Sequence, residues 1–441
     1  MIFANPKVIF VNSKGYLYIC KNMKTLPRTI TSNLLQALQV SPVVFLNGAR
    51  QSGKSTLVQN LQENIGSEDA PAVYISFDRP TQMAAAASAP ESFLSSYNKT
   101  LIIDEVQLVP ELFRALKVVV DELRLKDRLH SNGRYLLTGS ANVLALPKLS
   151  DPLVGRMTVL TLYPFCTAEA SQGKCNGLDK LINFDFAYIT DRGLSITEAM
   201  KLATFPEIAD KSAKERSIWF DGYLTTILQR DVRMLADLEK ISILPNLLRI
   251  LAIRAGNLIN DADIARDIGL NPTTSKFYRN ILKMMFLNFD VEPWFRNIGK
   301  RLVKAPKGFL TDTLILCHML DLNLEDIEKN KPDLFGHVLE NYVATELTKL
   351  LTFSETKAKL LHFRTSDGKE VDFVLEKPDG LVFAIEVKKS ESVNIQDFKG
   401  IQALAELTPK EFIGGVVLYS GRDVVPFGKN LWAVPLHILW Q

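Results

Sequence analysis

Eight consecutive residues, Gly48-Ala49-Arg50-Gln51-Ser52-Gly53-Lys54-Ser55, spell G-x-x-x-x-G-K-S, the pattern of a loop that closes its backbone on phosphates. The glycines allow the tight approach, and the following helix adds the positive end of its dipole. Lys54 can reach β- and γ-phosphates, and the Ser55 hydroxyl can ligate Mg²⁺. Ala49, Arg50, Gln51 and Ser52 form the wall of the loop, and Thr56 follows in the first helical turn. A second cluster, Leu101-Ile102-Ile103-Asp104-Glu105, is an apolar run ending in two carboxylates. Asp104 would hold the Mg²⁺ and Glu105 would polarise an attacking water. A third run, Arg134-Tyr135-Leu136-Leu137-Thr138, leads into Gly139-Ser140-Ala141-Asn142. Thr138 and Ser140 either sense the γ-phosphate or cap the strand end, and the sequence leaves both readings open.

A third kind of chemistry lies near the C-terminus. Asp372 sits in Glu370-Val371-Asp372-Phe373-Val374, and Glu386 and Lys388 close Val382-Phe383-Ala384-Ile385-Glu386-Val387-Lys388. Strand alternation puts Glu386 and Lys388 on one face. The turn Pro378-Asp379-Gly380 folds the two runs into a hairpin. This is the D…ExK pattern of restriction-endonuclease-like nucleases. Asp372 and Glu386 would hold Mg²⁺, Lys388 would activate water, and Glu340, on the amphipathic helix expected over 333–351, would support the metal.

The elements that must position these groups alternate between strand and helix. Strands are expected at 43–46, 73–78, 101–105, 134–138 and 157–162, with helices at 29–40, 56–63 and 111–128 between them. That alternation implies a doubly wound parallel sheet over 27–165. Residues 166–244 read as helical, with one long helix from Ser217 to Asp237. On it, Arg230 is a candidate arginine finger for a neighbouring copy's nucleotide, and Arg156 is its rival. For each, the competing reading is a surface ion pair with a nearby Asp.

Residues 245–307 have the spacing of a winged helix-turn-helix. Helices are expected over 247–255 and 260–270 and from the Asn271-Pro272 cap through Met284, with a wing at 287–292 and 301–304. Eight basic residues fall between Asn271 and Lys307 (276, 279, 283, 296, 300, 301, 304 and 307) against Asp290 and Glu292. That excess would suit DNA phosphates; the same fold also serves for protein docking. Residues 308–441 would form the nuclease-like α/β domain. Residues 1–26 stand apart as an extension, with a small hairpin at 8–19, and Met23 reads as a natural start.

The 441-residue chain carries a net charge of +3, too small to argue for nucleic acid across the whole molecule. Cys20, Cys166, Cys175 and Cys317 have no metal-site spacing, which fits a reducing, cytoplasmic setting. No apolar run is long enough for a membrane span.

With these residues in view, the chain resembles a widespread prokaryotic family of AAA-type P-loop ATPases that carry a C-terminal restriction-endonuclease-like domain of unknown function. The resemblance runs from about Met23 onward. It rests on the phosphate loop, Ile-Ile-Asp-Glu-Val-Gln at 102–107, Leu-Thr-Gly-Ser-Ala at 137–141, Gly-Arg at 155–156 and Gln-Arg-Asp-Val at 229–232. It continues through Lys-Arg-Leu-Val-Lys-Ala-Pro-Lys at 300–307, Leu-Glu-Asn-Tyr-Val at 339–343, Glu-Val-Asp-Phe-Val at 370–374 and Glu-Val-Lys at 386–388. Ser52 and Ser55 stand where the family often has Val and Thr, and Ala203-Thr204-Phe205 where Gly-Gly-Phe is expected. The resemblance implies an ATP-hydrolysing protein with Mg²⁺ as cofactor, acting on DNA or, alternatively, as a nucleotide-dependent switch for a protein partner. A trans-acting arginine would require a homo-oligomer.

Overall fold

A computed structural model describes residues 9–11, 17–19, 26–67, 70–127, 131–141, 153–187, 193–235, 240–296 and 304–441. The chain divides into two compact units, Met1–Tyr163 and Pro164–Gln441.

In the first unit, β1 (Ile9–Val11) and β2 (Leu17–Ile19) form an antiparallel pair, so the N-terminal hairpin is present at its two strands. Its expected turn residues, 13–15, lie outside the described residues. Helix α1 (Thr31–Val40) leads into β3 (Val43–Asn47), and α2 (Lys54–Leu61) follows the phosphate loop. After a minimal ladder of β4 (Gly66–Ser67) and β5 (Ala70–Pro71) come β6 (Val73–Ser76), β7 (Leu101–Asp104), helix α3 (Leu112–Lys126), β8 (Tyr135–Gly139) and β9 (Met157–Thr161). The last five large strands make one parallel sheet in the order β6-β7-β8-β3-β9. Every residue of β3, β7 and β8 is buried, which explains their continuous apolar runs: both faces are covered by helices. One face packs Val44, Leu46, Ile102 and Leu136 against Leu34 and Leu38 of α1 and Leu57, Val58 and Leu61 of α2. The α/β character expected for this region is therefore present, with the phosphate loop at the carboxyl end of a central strand. The expected turn at 150–156 is described only from Leu153.

The second unit begins with short helices and then α4 (Ala213–Thr226), started by a capping box between Ser212 and Glu215. The single helix expected from Ser217 to Asp237 is interrupted. A π turn spans Ile227–Asp231 before helix resumes at Val232–Leu235, and residues 236–239 lie outside the described set. Such a turn inserts one extra residue, a local feature that apolar periodicity does not reveal.

Helices α5 (Leu244–Ile253), α6 (Asp261–Ile268) and α7 (Pro272–Met284) follow close to the expected places. Asn260 and Asn271 cap the last two through their side-chain oxygens, and Gly269 ends α6 in the left-handed conformation (φ 68°). Strand β10 (Asn288–Pro293) pairs antiparallel with β11 (Lys307–Leu310). The second strand thus begins after the expected 301–304, just past Pro306, which has no N–H to give a ladder. Residues 297–303 lie outside the described set.

Both strands belong to an eight-stranded mixed sheet, β11-β10-β12-β13-β14-β15-β17-β16. Its other members are β12 (Lys359–Arg364), β13 (Glu370–Glu376), β14 (Val382–Lys388), β15 (Phe412–Tyr419), β16 (Val425–Gly428) and β17 (Leu431–Pro435). Helix α8 (Thr313–Met319) and the long α9 (Pro332–Leu351) precede β12, and α10 (Lys399–Leu407) connects β14 to β15. Phe398, Ile401 and Leu404 pack on Val371, Val374, Val382 and Ala384 of the sheet. The expected boundary at 307/308 falls inside this sheet. Among the described residues, no helix is long and apolar enough to cross a membrane.

Candidate functional site

The phosphate loop is shaped by its glycines and held from behind. A Cβ on Gly48 (φ 150°) would lie 2.1 Å from the Leu162 carbonyl oxygen, so only glycine fits there. Gly53 (φ 96°) turns the chain into α2. Arg28, outside every motif read above, donates to the carbonyls of Ser52 (2.7 Å) and Tyr163 (2.6 Å) and pins the loop. Ala49 and Ser52 are buried, Arg50 is half-buried, Gln51 is exposed in the left-handed conformation, and Thr56 is exposed on α2. Ser55 is half-buried in the first turn of α2.

Lys54 is 4% exposed and donates to the Gly48 and Ala49 carbonyls at 3.0 and 2.8 Å. Burial brings its pKa down to about 8, against the pull of Glu105 and Asp104. The loop lysine and both carboxylates therefore share one electrostatic site.

Asp104 ends β7 and is buried. Its Oδ2 accepts from the Tyr74 hydroxyl (2.6 Å), and its Oδ1 accepts from Thr138 Oγ1. Burial and the bond to Asp104 push the Tyr74 pKa up to about 12, so the phenol remains a donor. Glu105 takes a left-handed backbone (φ 58°), and its N–H reaches Thr138 Oγ1 at 3.4 Å. Its Oε2 accepts from Ser140 Oγ (2.8 Å) and from Gln107 Nε2, which also donates to Ser140 (3.0 Å). Thr138 and Ser140 thus contact the two carboxylates directly. Tyr74 and Gln107 were missed as site residues; Gln107 stood inside a quoted motif, but Tyr74 gave only a strand signal.

Arg156 lies at the other end of the sheet from the loop, where its carbonyl accepts from Val43 N–H. Its guanidinium forks onto Asp121 (Nε–Oδ1 2.6 Å, Nη2–Oδ2 2.8 Å), as in the ion-pair reading. Arg230 is exposed on the π turn of the second unit.

The C-terminal cluster comes together as a second polar site, with one member that the sequence reading had assigned elsewhere. Lys307, 5% exposed, donates to Glu340 Oε1 (2.8 Å) and Asp372 Oδ1 (3.3 Å). Asp372 Oδ2 accepts from Val387 N–H (3.0 Å). Glu386 Oε1 accepts from Lys388 Nζ (2.8 Å), and its Oε2 from Asp372 N–H (3.3 Å). Burial and repulsion from Asp372 raise Glu340 to about 7 and Glu386 to about 8, opposed by Lys307 and Lys388 respectively. Burial works against the Lys307 charge, but Asp372 and Glu340 outweigh it and raise its pKa. Among the described residues, no three His, Cys, Asp or Glu side chains are grouped to hold a metal ion.

Three of the eight basic residues of 271–307 are held in ion pairs inside the unit. Arg279, 4% exposed, pairs with Asp261 (3.0 Å) and Asp290 (2.8 Å), and Lys283 pairs with Asp290 (2.9 Å). With Lys307 buried, Lys276, Lys304 and Arg296 remain exposed, and Arg296 faces Glu411 at 3.6 Å. Lys300 and Arg301 lie outside the described residues.

Comparison with known proteins places these features in context. Residues 40–171 match the model of an AAA domain, residues 195–326 a domain of unknown function (DUF8612), and residues 335–439 another domain of unknown function (DUF4143). An uncharacterized protein of Mycobacterium tuberculosis is 28% identical over 410 residues, covering 92% of this chain and 83% of its own length. One from Haemophilus influenzae is 26% identical over 375 residues, covering 79% of this chain and 83% of its own length. Among solved structures, a Walker-type ATPase of Pyrococcus abyssi aligns with 66% of this chain and 94% of its own at 14% identity and a TM-score of 0.39. AMPPCP-bound DnaA from Aquifex aeolicus aligns with 58% and 85% at 15% identity and a TM-score of 0.29. The match over the loop and both carboxylates, together with the parallel sheet that carries them, supports an AAA-type α/β domain over residues 40–171.

Proposed function

We propose that this chain binds and hydrolyses ATP and couples turnover to its C-terminal module, with DNA as the substrate acted on. The supporting observation is the shared electrostatic site of Lys54, Asp104 and Glu105. Gly48 to Thr56 would wrap the phosphates, and Lys54 would leave its carbonyl partners for the β- and γ-phosphates. The donor set suits Mg²⁺: the Ser55 hydroxyl and the Asp104 carboxylate are hard oxygen ligands. When bound, Mg²⁺ would neutralise phosphate charge. Glu105 would take a proton from the attacking water once released from Ser140 and Gln107, and Ser140 would then be placed to meet the γ-phosphate. Arg230, exposed, is the better candidate for a finger acting on a neighbouring copy.

In the second unit, α5–α7 with the β10–β11 hairpin would act as the winged helix, and Glu340, Asp372, Glu386 and Lys388 as the remnant or working site of a restriction-endonuclease-like fold. One observation favours a second reading, a nucleotide-dependent switch with a silent C-terminal module that binds a protein. It is the loss of Arg279, Lys283 and Lys307 to internal ion pairs, which removes positive charge from the surface offered to DNA. The deciding experiment is ATP turnover with and without duplex and single-stranded DNA, with Lys54→Ala as control. Turnover lost in Lys54→Ala and stimulated by DNA supports the first reading. DNA-indifferent turnover supports the switch, and turnover unchanged in Lys54→Ala refutes both.

A further inference from the structure

The carboxylates of the C-terminal cluster are already provided with cations. Three of them, Glu340, Asp372 and Glu386, face two ammonium groups, Lys307 and Lys388. Each oxygen of Asp372 and Glu386 accepts a bond from the protein, and on each residue one of the two donors is an ammonium: Lys307 beside the Val387 N–H on Asp372, Lys388 beside the Asp372 N–H on Glu386. A Mg²⁺ ion needs near-octahedral oxygens at about 2.1 Å, and an ammonium lodged between two carboxylates takes that place.

The position of Lys307 is fixed by backbone on both sides. Lys307 pairs with Val291 of β10 on one edge and bridges to Leu258 on the other. Gly256 N–H donates to the Gly308 carbonyl (2.8 Å), Gly308 N–H to Asn257 (3.1 Å) and Ile259 N–H to Pro306 (2.8 Å). Gly256 (φ 78°) also lies against the Glu340 carboxylate, where a Cβ would come within 3.1 Å of Oε2. The strand that carries the lysine is therefore clamped, and the ammonium is aimed by the fold.

We infer that Lys307 is the resident cation of this site: its ammonium bridges Glu340 and Asp372 where a divalent ion would otherwise sit, and it excludes that ion. The inference rests on reading Asp372 and Glu386 as the carboxylates of a nuclease-like site. With all three carboxylates ionised, Lys307 and Lys388 leave one net negative charge; without Lys307 two remain, the charge that a divalent ion balances.

The test is a Mn²⁺ titration of the nucleotide-free full chain, read by the electron paramagnetic resonance of free Mn²⁺. A Ser55→Ala background removes the ligand of the phosphate loop. With Lys307 present, no Asp372-dependent Mn²⁺ binding is expected up to about 1 mM, the weak end of protein cation sites. Lys307→Met should bind one Mn²⁺ per chain at least about a hundredfold more tightly, because a unit charge is removed from within about 4 Å of the ion. Adding Asp372→Asn should abolish that binding. If Lys307→Met fails to fold by circular dichroism, Lys307→Gln takes its place. Mn²⁺ binding by the chain with Lys307 intact, lost on Asp372→Asn, overturns the inference while leaving the nuclease-like reading standing. A folded Lys307 variant that stays blind to Mn²⁺ overturns both.

Discussion

Thr138→Val tests whether the end of β8 positions Asp104, the carboxylate proposed to hold the metal. Thr138 is fully buried, and its hydroxyl is the hinge of a short chain of bonds: it donates to Asp104 Oδ1 and accepts the Glu105 N–H at 3.4 Å. Valine keeps the shape and removes both bonds. A hydrogen bond to a charged group contributes roughly 1.5–3 kcal/mol, and its loss leaves Asp104 held by Tyr74 alone among these two side chains. If that energy is realised when Asp104 meets the metal–nucleotide complex, kcat/KM for ATP should fall by about 10- to 150-fold. Thr138→Ser keeps the hydroxyl and should recover most of the activity. Steady-state turnover is read beside nucleotide affinity and melting temperature, so that lost catalysis is separated from lost fold. A Thr138→Val protein that hydrolyses ATP like the wild type while melting lower would refute the positioning argument and leave Thr138 a structural residue.

Three further outcomes are expected. Glu105→Gln should bind ATP as the wild type does but turn it over at least about a hundredfold more slowly; near-normal turnover would show that another group activates the water. Arg279→Met should cost about 3–5 kcal/mol in urea unfolding, because it strands Asp290, whose side chain is only 6% exposed, with Lys283 as its remaining partner. A loss below about 1 kcal/mol would mean that the ion pairs are worth no more than exposed ones. His362, 2% exposed, has its pKa lowered to about 4 by burial and by Lys307. Its folded pKa lies below its unfolded value, so its contribution is intact above about pH 6.5 and is lost as pH falls toward 4. The loss reaches roughly 3 kcal/mol at the lower end. His362→Asn should flatten the unfolding free energy over that window, and an unchanged slope would assign the acid sensitivity elsewhere.

The phosphate loop, the Asp-Glu strand and the parallel sheet were legible because each is a local pattern. Val43–Asn47 and Leu101–Asp104 are apolar without alternation because they are buried on both faces. What was not legible depends on partners far along the chain. Lys307 counted as surface charge, yet its partners lie 33 and 65 residues away. Arg28 braces a carbonyl 24 residues on, and Tyr74 reaches an acid 30 residues on, with no motif to join them. Arg279 could have been found: it follows Tyr278 on the same side of α7 as Ser275 and Leu282, all buried, so helical spacing already pointed it inward. The hidden charge was missed because composition counts ions without pairing them.

The β10–β11 hairpin also protects an edge. Glu292 and Pro293 of β10 pair with Leu361 and His362 of β12, so the helices of residues 244–284 are tied to the C-terminal strands through one continuous sheet. A polypeptide begun at residue 308 would lack β10 and leave β12 with an open row of backbone donors and acceptors. Such a fragment would be expected to self-associate, and its insolubility would say nothing about whether the intact protein is an oligomer. The smallest separable piece containing the C-terminal carboxylates must therefore begin before Asn288.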